Sequence, residues 1–138
     1  MKPLLFVAAD YANITGDGKL NIMGIFHEIY ASSFPARHAS MHLIATLGAE
    51  LGEWNQTRDF TIKLLDEDGN QIMDLTGQID IPKGERGRKP EVNIILGLND
   101  VIFPKPGTYV FAIFVDKDHK GDLTLFVNQI EKPKIAQE

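Results

Sequence analysis

The stretch Pro104-Lys105-Pro106-Gly107-Thr108-Tyr109-Val110-Phe111-Ala112-Ile113-Phe114-Val115 and the residues that follow it decide the fold class. Tyr109, Phe111, Ile113 and Val115 alternate with Val110, Ala112 and Phe114, which is the two-residue period of a β-strand. Polar residues 116–121 form a turn, and Leu123, Leu125 and Val127 supply the inward row of a return strand. The pattern predicts an antiparallel hairpin, with residues 107–115 paired against 122–130.

Reading outward, the same kind of signal recurs along the whole chain. Residues 4–9 form a first apolar run, and Gly16-Asp17-Gly18 marks a turn. Residues 20–30 read as one long strand, broken at Phe34-Pro35. Met41, Leu43, Ala45 and Leu47 then share a face, and residues 48–56 read as a loop. Phe60, Ile62 and Leu64 lead to Asp68-Gly69, a strong hairpin signal. Met73, Leu75, Gly77, Ile79 and Ile81 share a face on the return. A charged loop, 82–90, precedes the inward row Val92, Ile94, Leu96 and Leu98. No segment carries a sustained helical period with caps; the best helical candidate is 31–40. About eight short strands imply an all-β fold, an antiparallel two-sheet sandwich of immunoglobulin-like or related type. One domain is expected over residues 1–131, followed by a polar tail at 132–138.

Two resemblances support this. The run from Pro104 to Phe111 resembles the tyrosine corner of immunoglobulin-like sandwiches, in which the tyrosine hydroxyl ties a loop to the start of a strand. The chain as a whole resembles a family of small bacterial proteins known only as a domain of unknown function. The residues that carry it are Ala8-Ala9-Asp10-Tyr11, the run from Gly18 to Phe26, Phe34-Pro35, Asp68-Gly69 and Gly107-Thr108-Tyr109. That resemblance implies a bacterial β-sandwich and brings no activity with it.

Bulk properties exclude several classes of function. The 138 residues carry a net charge of −5, which argues against a general polyanion binder. No cysteine is present, so thiolate chemistry and disulfides are ruled out and a cytoplasmic setting is favoured. The apolar run at 4–9 is too short for a signal peptide or a membrane span. Neither nucleic acid nor membrane is expected as a partner.

No catalytic constellation stands out, and no cofactor is expected. His38 and His42 fall on one face of a regular strand but roughly 13 Å apart, at about 3.3 Å per residue. His27-Glu28 lacks the second histidine of a zinc-protease helix, because position 31 is Ala31. Ser32, Ser33 and Ser40 have no glycine elbow around them. Two acidic turns invite comparison with C2-type calcium sites: Asp66 and Asp68 in one, Asp116, Asp118 and Asp122 in the other. They would form one site only if both turns lay at the same end of the sandwich. Otherwise Asp and Gly simply make good turns.

Three further features are candidate contacts. Arg86 and Arg88 stand in the single basic cluster, between Lys83 and Lys89. Trp54, in a polar stretch, is either a lid over the core edge or a contact residue. The strongest anomaly is broken alternation: Ile25, Ile95, Val110, Phe114 and Phe126 point away from the inward rows. If they share one sheet, they form an apolar patch larger than monomers usually expose, and a two-fold dimer is the commonest cover. A loop carrying Trp54, or a helix at 31–40, would shield the same face instead. The sequence therefore reads as a non-enzymatic binding or assembly module, a homodimer or a partner of another protein. A calcium- or ligand-dependent recruitment domain is the alternative.

Overall fold

A computed structural model describes residues 1–131 as nine strands in two sheets. The strands are β1 (Lys2–Ile14), β2 (Leu20–Phe26), β3 (Glu28–Ala31), β4 (Ala36–Gly48), β5 (Gln56–Leu65), β6 (Gln71–Ile81), β7 (Glu91–Phe103), β8 (Gly107–Val115) and β9 (Asp118–Gln129). The four-stranded sheet has the order β2-β1-β4-β7, and the five-stranded sheet β3-β9-β8-β5-β6. The expected tail at 132–138 lies outside the described residues.

The inward rows read from the sequence form the core between the sheets. Met41, Leu43, Ala45 and Leu47 of β4 and Ile94 and Leu98 of β7 meet Ile62 and Leu64 of β5 and Phe111, Ile113, Leu123 and Leu125 of the β8–β9 hairpin. That hairpin is tighter than expected. Val115 pairs with Asp118, and the two turn residues, Asp116 and Lys117, both have positive φ. This is the type I′ geometry, whose twist matches that of the strands it joins. The Asp116 carboxylate stabilises the turn, accepting hydrogen bonds from the Asp59 amide at 3.2 Å and the Arg58 guanidinium at 3.0 Å.

The tyrosine corner is present. The Tyr109 hydroxyl donates to the Lys105 carbonyl at 2.6 Å and accepts from the Lys105 amide at 3.3 Å. Its ring is buried, edge-on to Phe103 at 5.0 Å. The order β9-β8-β5-β6 corresponds to the G-F-C-C′ strands of variable-type immunoglobulin sheets, with β8 as the strand that the corner tyrosine enters.

Three expectations are corrected. The strand expected over 20–30 is two strands, because the chain crosses between sheets at His27. β2 pairs with β1, whereas β3 runs parallel to β9. Ile29 therefore enters the core. The candidate helix at 31–40 is instead the end of β3, a turn with a cis Phe34-Pro35 bond, and the start of β4. Lastly, His38 and His42 do not share a face. His38 packs on Phe26, a side chain that lies against the core, and His42 packs on Tyr11 on the opposite side of the sheet. The cause is visible in β7, where both Leu98 and Val101 reach the core although three residues separate them. Asp100 between them has φ of +56° and lies across the ladder between the paired positions His38 and Ser40, which switches the alternation.

Replacing Tyr109 by Phe removes both hydrogen bonds and leaves the Lys105 carbonyl without its partner. The expected cost is about 1–3 kcal/mol in urea unfolding, and an unchanged midpoint would show that the corner does not hold the loop. Lys117→Gly is expected to stabilise the hairpin by about 1 kcal/mol, because a left-handed conformation costs a non-glycine residue roughly that much.

Candidate functional site

The outward-pointing apolar residues do not share one sheet. Ile25 and Ile95 belong to the four-stranded sheet, whereas Val110, Phe114 and Phe126 belong to the five-stranded sheet. Their outer faces lie on opposite sides of the molecule, so the single patch expected from the sequence divides in two.

On the five-stranded sheet the apolar groups are interleaved with polar ones. The Lys63 ammonium lies 5.3 Å from the centre of the Phe114 ring, and the His119 ring lies 5.3 Å from it on another side. Long polar side chains cover apolar surface in this way while keeping their heads in water. Val110 lies between Leu65 and Thr124 in the ladder, and Ala112 between Lys63 and Asp122. Phe126 of β9 is exposed beside Glu28 of the short edge strand β3.

The four-stranded sheet is different: its outer face has a packed cluster of its own. Ile44 points away from the core, because Leu43 and Ala45 on either side point into it. It is nevertheless wholly buried. Val7 and Ile95 flank it across the ladder, and Ala9 and Ala12 join it in one cluster with Leu5, Leu20 and Ile22 packed against them. On a regular strand Ala9 and Ala12 would face opposite ways and stand about 10 Å apart. They share a cluster because the β1–β2 hairpin bends at Asp10 and Gly24. Gly24 has φ of +71°, and a side chain there would collide with that of Asp10. The hairpin tip thus curls toward the outer face. It takes the covering role expected of the loop at 48–56 or of a helix at 31–40.

The cover is incomplete. Met23 and Ile25 on β2 remain 63% and 52% exposed, and Tyr11 stands beside them, edge-on to His42. The His42 ring is anchored on the Asp10 carbonyl at 3.3 Å and spreads over Gly97. The resulting surface is an apolar floor of Val7, Ile44 and Ile95 with an exposed rim of Tyr11, Met23 and Ile25. Sequence reading found Ile25 and Ile95 but missed Val7, Tyr11, His42 and Ile44. The signal was there in the unbroken apolar runs at 4–9 and 43–45, which are the mark of strands buried on both faces.

The aspartates of the two turns do not assemble into one site, which corrects the C2-like gathering of Asp66, Asp68, Asp116, Asp118 and Asp122. Phe60 of β5 faces Val115 beside one turn, and Leu65 faces Val110 beside the other, so the turns lie at opposite ends of the sheet. Five residues of strand separate them by roughly 17 Å. Each carboxylate has local work instead. Asp66 accepts from the amides of Asp68 and Asn70, and the Asn70 side chain, the largest influence, holds its carboxyl below the usual range. Asp68 pairs with Lys105 at 3.2 Å, and Glu67 accepts from the Thr108 amide at 2.6 Å. This turn is thereby clipped to the tyrosine corner. Asp116 holds its own hairpin turn, Asp118 faces Lys120 at 3.8 Å, and Asp122 bonds to His119 at 2.7 Å. Among the described residues no three His, Cys, Asp or Glu side chains gather as a metal site.

Arg86 and Arg88 stand exposed on a tight turn closed by a Glu85–Arg88 bridge, with Arg86 and Gly87 both left-handed. Trp54 is half-buried beneath the same loop. Gly84 lies against its ring so closely that a Cβ there would collide. The tryptophan is therefore a lid that holds the loop down at the end of the sandwich.

The fold and surface define a class: a β-sandwich with a tyrosine corner and one apolar outer sheet face. The chain belongs to a family described as a family of unknown function (DUF6941), which it matches over residues 4–128. No curated protein matches it.

Millimolar calcium is expected to leave the melting temperature unchanged; a rise of several degrees would mean that the aspartates bind it after all. Gly84→Ala is expected to destabilise by about 1–3 kcal/mol, the usual cost of overpacking, with Trp54 fluorescence shifting toward that of an exposed indole.

Proposed function

We propose that this protein is a non-enzymatic binding and assembly module of the bacterial cytoplasm, which joins a second copy of itself through the outer face of its four-stranded sheet. The observation that carries this reading is the apolar floor around Ile44 with its exposed rim of Tyr11, Met23 and Ile25. A self-complementary patch on a sheet face suits a two-fold contact, in which the same residues meet from both sides. Paired in this way, the rim residues of one copy meet the half-buried Val7 and Ile95 of the other.

The surface chemistry supports a protein partner rather than nucleic acid. The floor and the rim residues named are uncharged, and the chain is acidic overall. The non-enzymatic reading draws on the polar groups. The His119–Asp122 pair is exposed, on the five-stranded sheet, while Ser40 belongs to β4 and Ser32 and Ser33 to the turn after β3. The cytoplasmic setting suits a chain without cysteine.

Light scattering at micromolar concentration is expected to give the mass of a dimer. Met23→Glu with Ile25→Glu should yield a folded monomer, whereas Phe114→Glu should leave the mass unchanged. A monomeric native protein would overturn the reading, and so would a dimer that survives the double change.

A further inference from the structure

The five-stranded sheet ends on β6, and the geometry points to this edge as a docking site for an extended, amphipathic, basic segment of another protein, added as a sixth strand. Among the described residues β6 pairs only with β5, so one side of an eleven-residue strand offers free backbone N–H and C=O groups. Proteins usually guard such an edge with shortness, lysine, proline or a kink. The other three edges are guarded. β3 has four residues, β2 turns left-handed at Gly24, and β7 does so at Asp100. Between Gln71 and Ile81 there is no Lys, no Pro and no residue of positive φ. One guard is present near its start: Leu64 pairs with Met73 and Leu65 with Gln71, so Ile72 is an extra, bulged residue of β6, and the regular open edge runs over 73–81.

The two faces of β6 specify the occupant. Asp74 and Asp80 stand six positions apart on the exposed outer face, and the strand carries no basic residue. Lys63, opposite Asp74 in the ladder, directs its ammonium over the Phe114 ring. On the inner face Met73 and Leu75 are only half-buried, whereas Ile79 and Ile81 are buried. Side chains directly opposite across a ladder lie about 5 Å apart, and opposite charges there stabilise the pair. An added strand therefore places Lys or Arg beside Asp74 and Asp80 and apolar side chains over Met73 and Leu75. A second copy of β6 fits worse. Antiparallel pairing centred on Gly77 would set Asp74 of each copy against Asp80 of the other, like charge on like. The site is independent of the dimer face, which belongs to the other sheet.

An eleven-residue peptide of alternating Val and Thr, with Lys at two outward positions six residues apart, tests this by fluorescence anisotropy. Its twin carries Glu at those positions. The Lys peptide is expected to bind about ten-fold more tightly, which is some 1.4 kcal/mol summed over two charge pairs. It should also slow amide hydrogen exchange in β6. Asp74→Lys with Asp80→Lys, both exposed and so compatible with folding, should reverse the preference. Three results would overturn the proposal: equal binding of the two peptides, no binding of either, or binding without protection of β6.

Discussion

The side chains of a β-strand alternate strictly, and the four-stranded sheet depends on two places where this alternation is switched. Gly24 in β2 and Asp100 in β7 both take left-handed backbone inside a continuous ladder. At Asp100 the switch returns Val101 and Phe103 to the core after Leu98. At Gly24 it turns the β1–β2 hairpin so that Ala12, Leu20 and Ile22 pack with Ala9 on the outer cluster around Ile44. A sheet that would ordinarily bury one face thus buries parts of both. Gly24 occupies its position at little conformational cost, while Asp100 is offset by the hydrogen bond it accepts from Arg37 at 3.0 Å.

The five-stranded sheet is organised by different means. Apart from a bulge at Ile72, its inward rows alternate regularly, and its ends are fixed by polar contacts. At one end Tyr109 bonds to Lys105, while Glu67 and Asp68 clip the β5–β6 turn to the same loop. At the other end Asp116 ties the β8–β9 turn to β5. Acidic residues that look like a metal site when read in sequence are therefore turn and loop fasteners. The outer face of this sheet is a mosaic in which Lys63 and His119 shield Phe114. The sticky surface consequently falls to the other sheet, and the long open edge to residues 73–81 of β6.

Much of this was legible in the sequence. Strand rows such as Phe60, Ile62 and Leu64, or Tyr109 to Val115, are local and periodic, so they announced both the strands and the faces they bury. The tyrosine corner was legible for the same reason: its two partners are four residues apart. The split at His27 was not, because apolar residues continue on both sides of His27-Glu28 and nothing local says where a strand changes sheets. Asp100 was also hidden, since an aspartate in a strand is ordinarily an outward residue. The outer face was read half correctly. Broken alternation identified Ile25 and Ile95, but assigning Val110, Phe114 and Phe126 to the same surface required the strand order. The separation of the two acidic turns required it as well.

The central claim is that the bend at Gly24 lays the hairpin tip onto the outer face of the four-stranded sheet. Amide hydrogen exchange of Gly24→Val tests it most directly, because the new side chain both strains the backbone and meets Asp10. Faster exchange is predicted for Ala12 and Ile22 in the hairpin tip and for Ile44 beneath it, with the β8–β9 hairpin unchanged. Exchange at those amides matching the native protein would contradict the account.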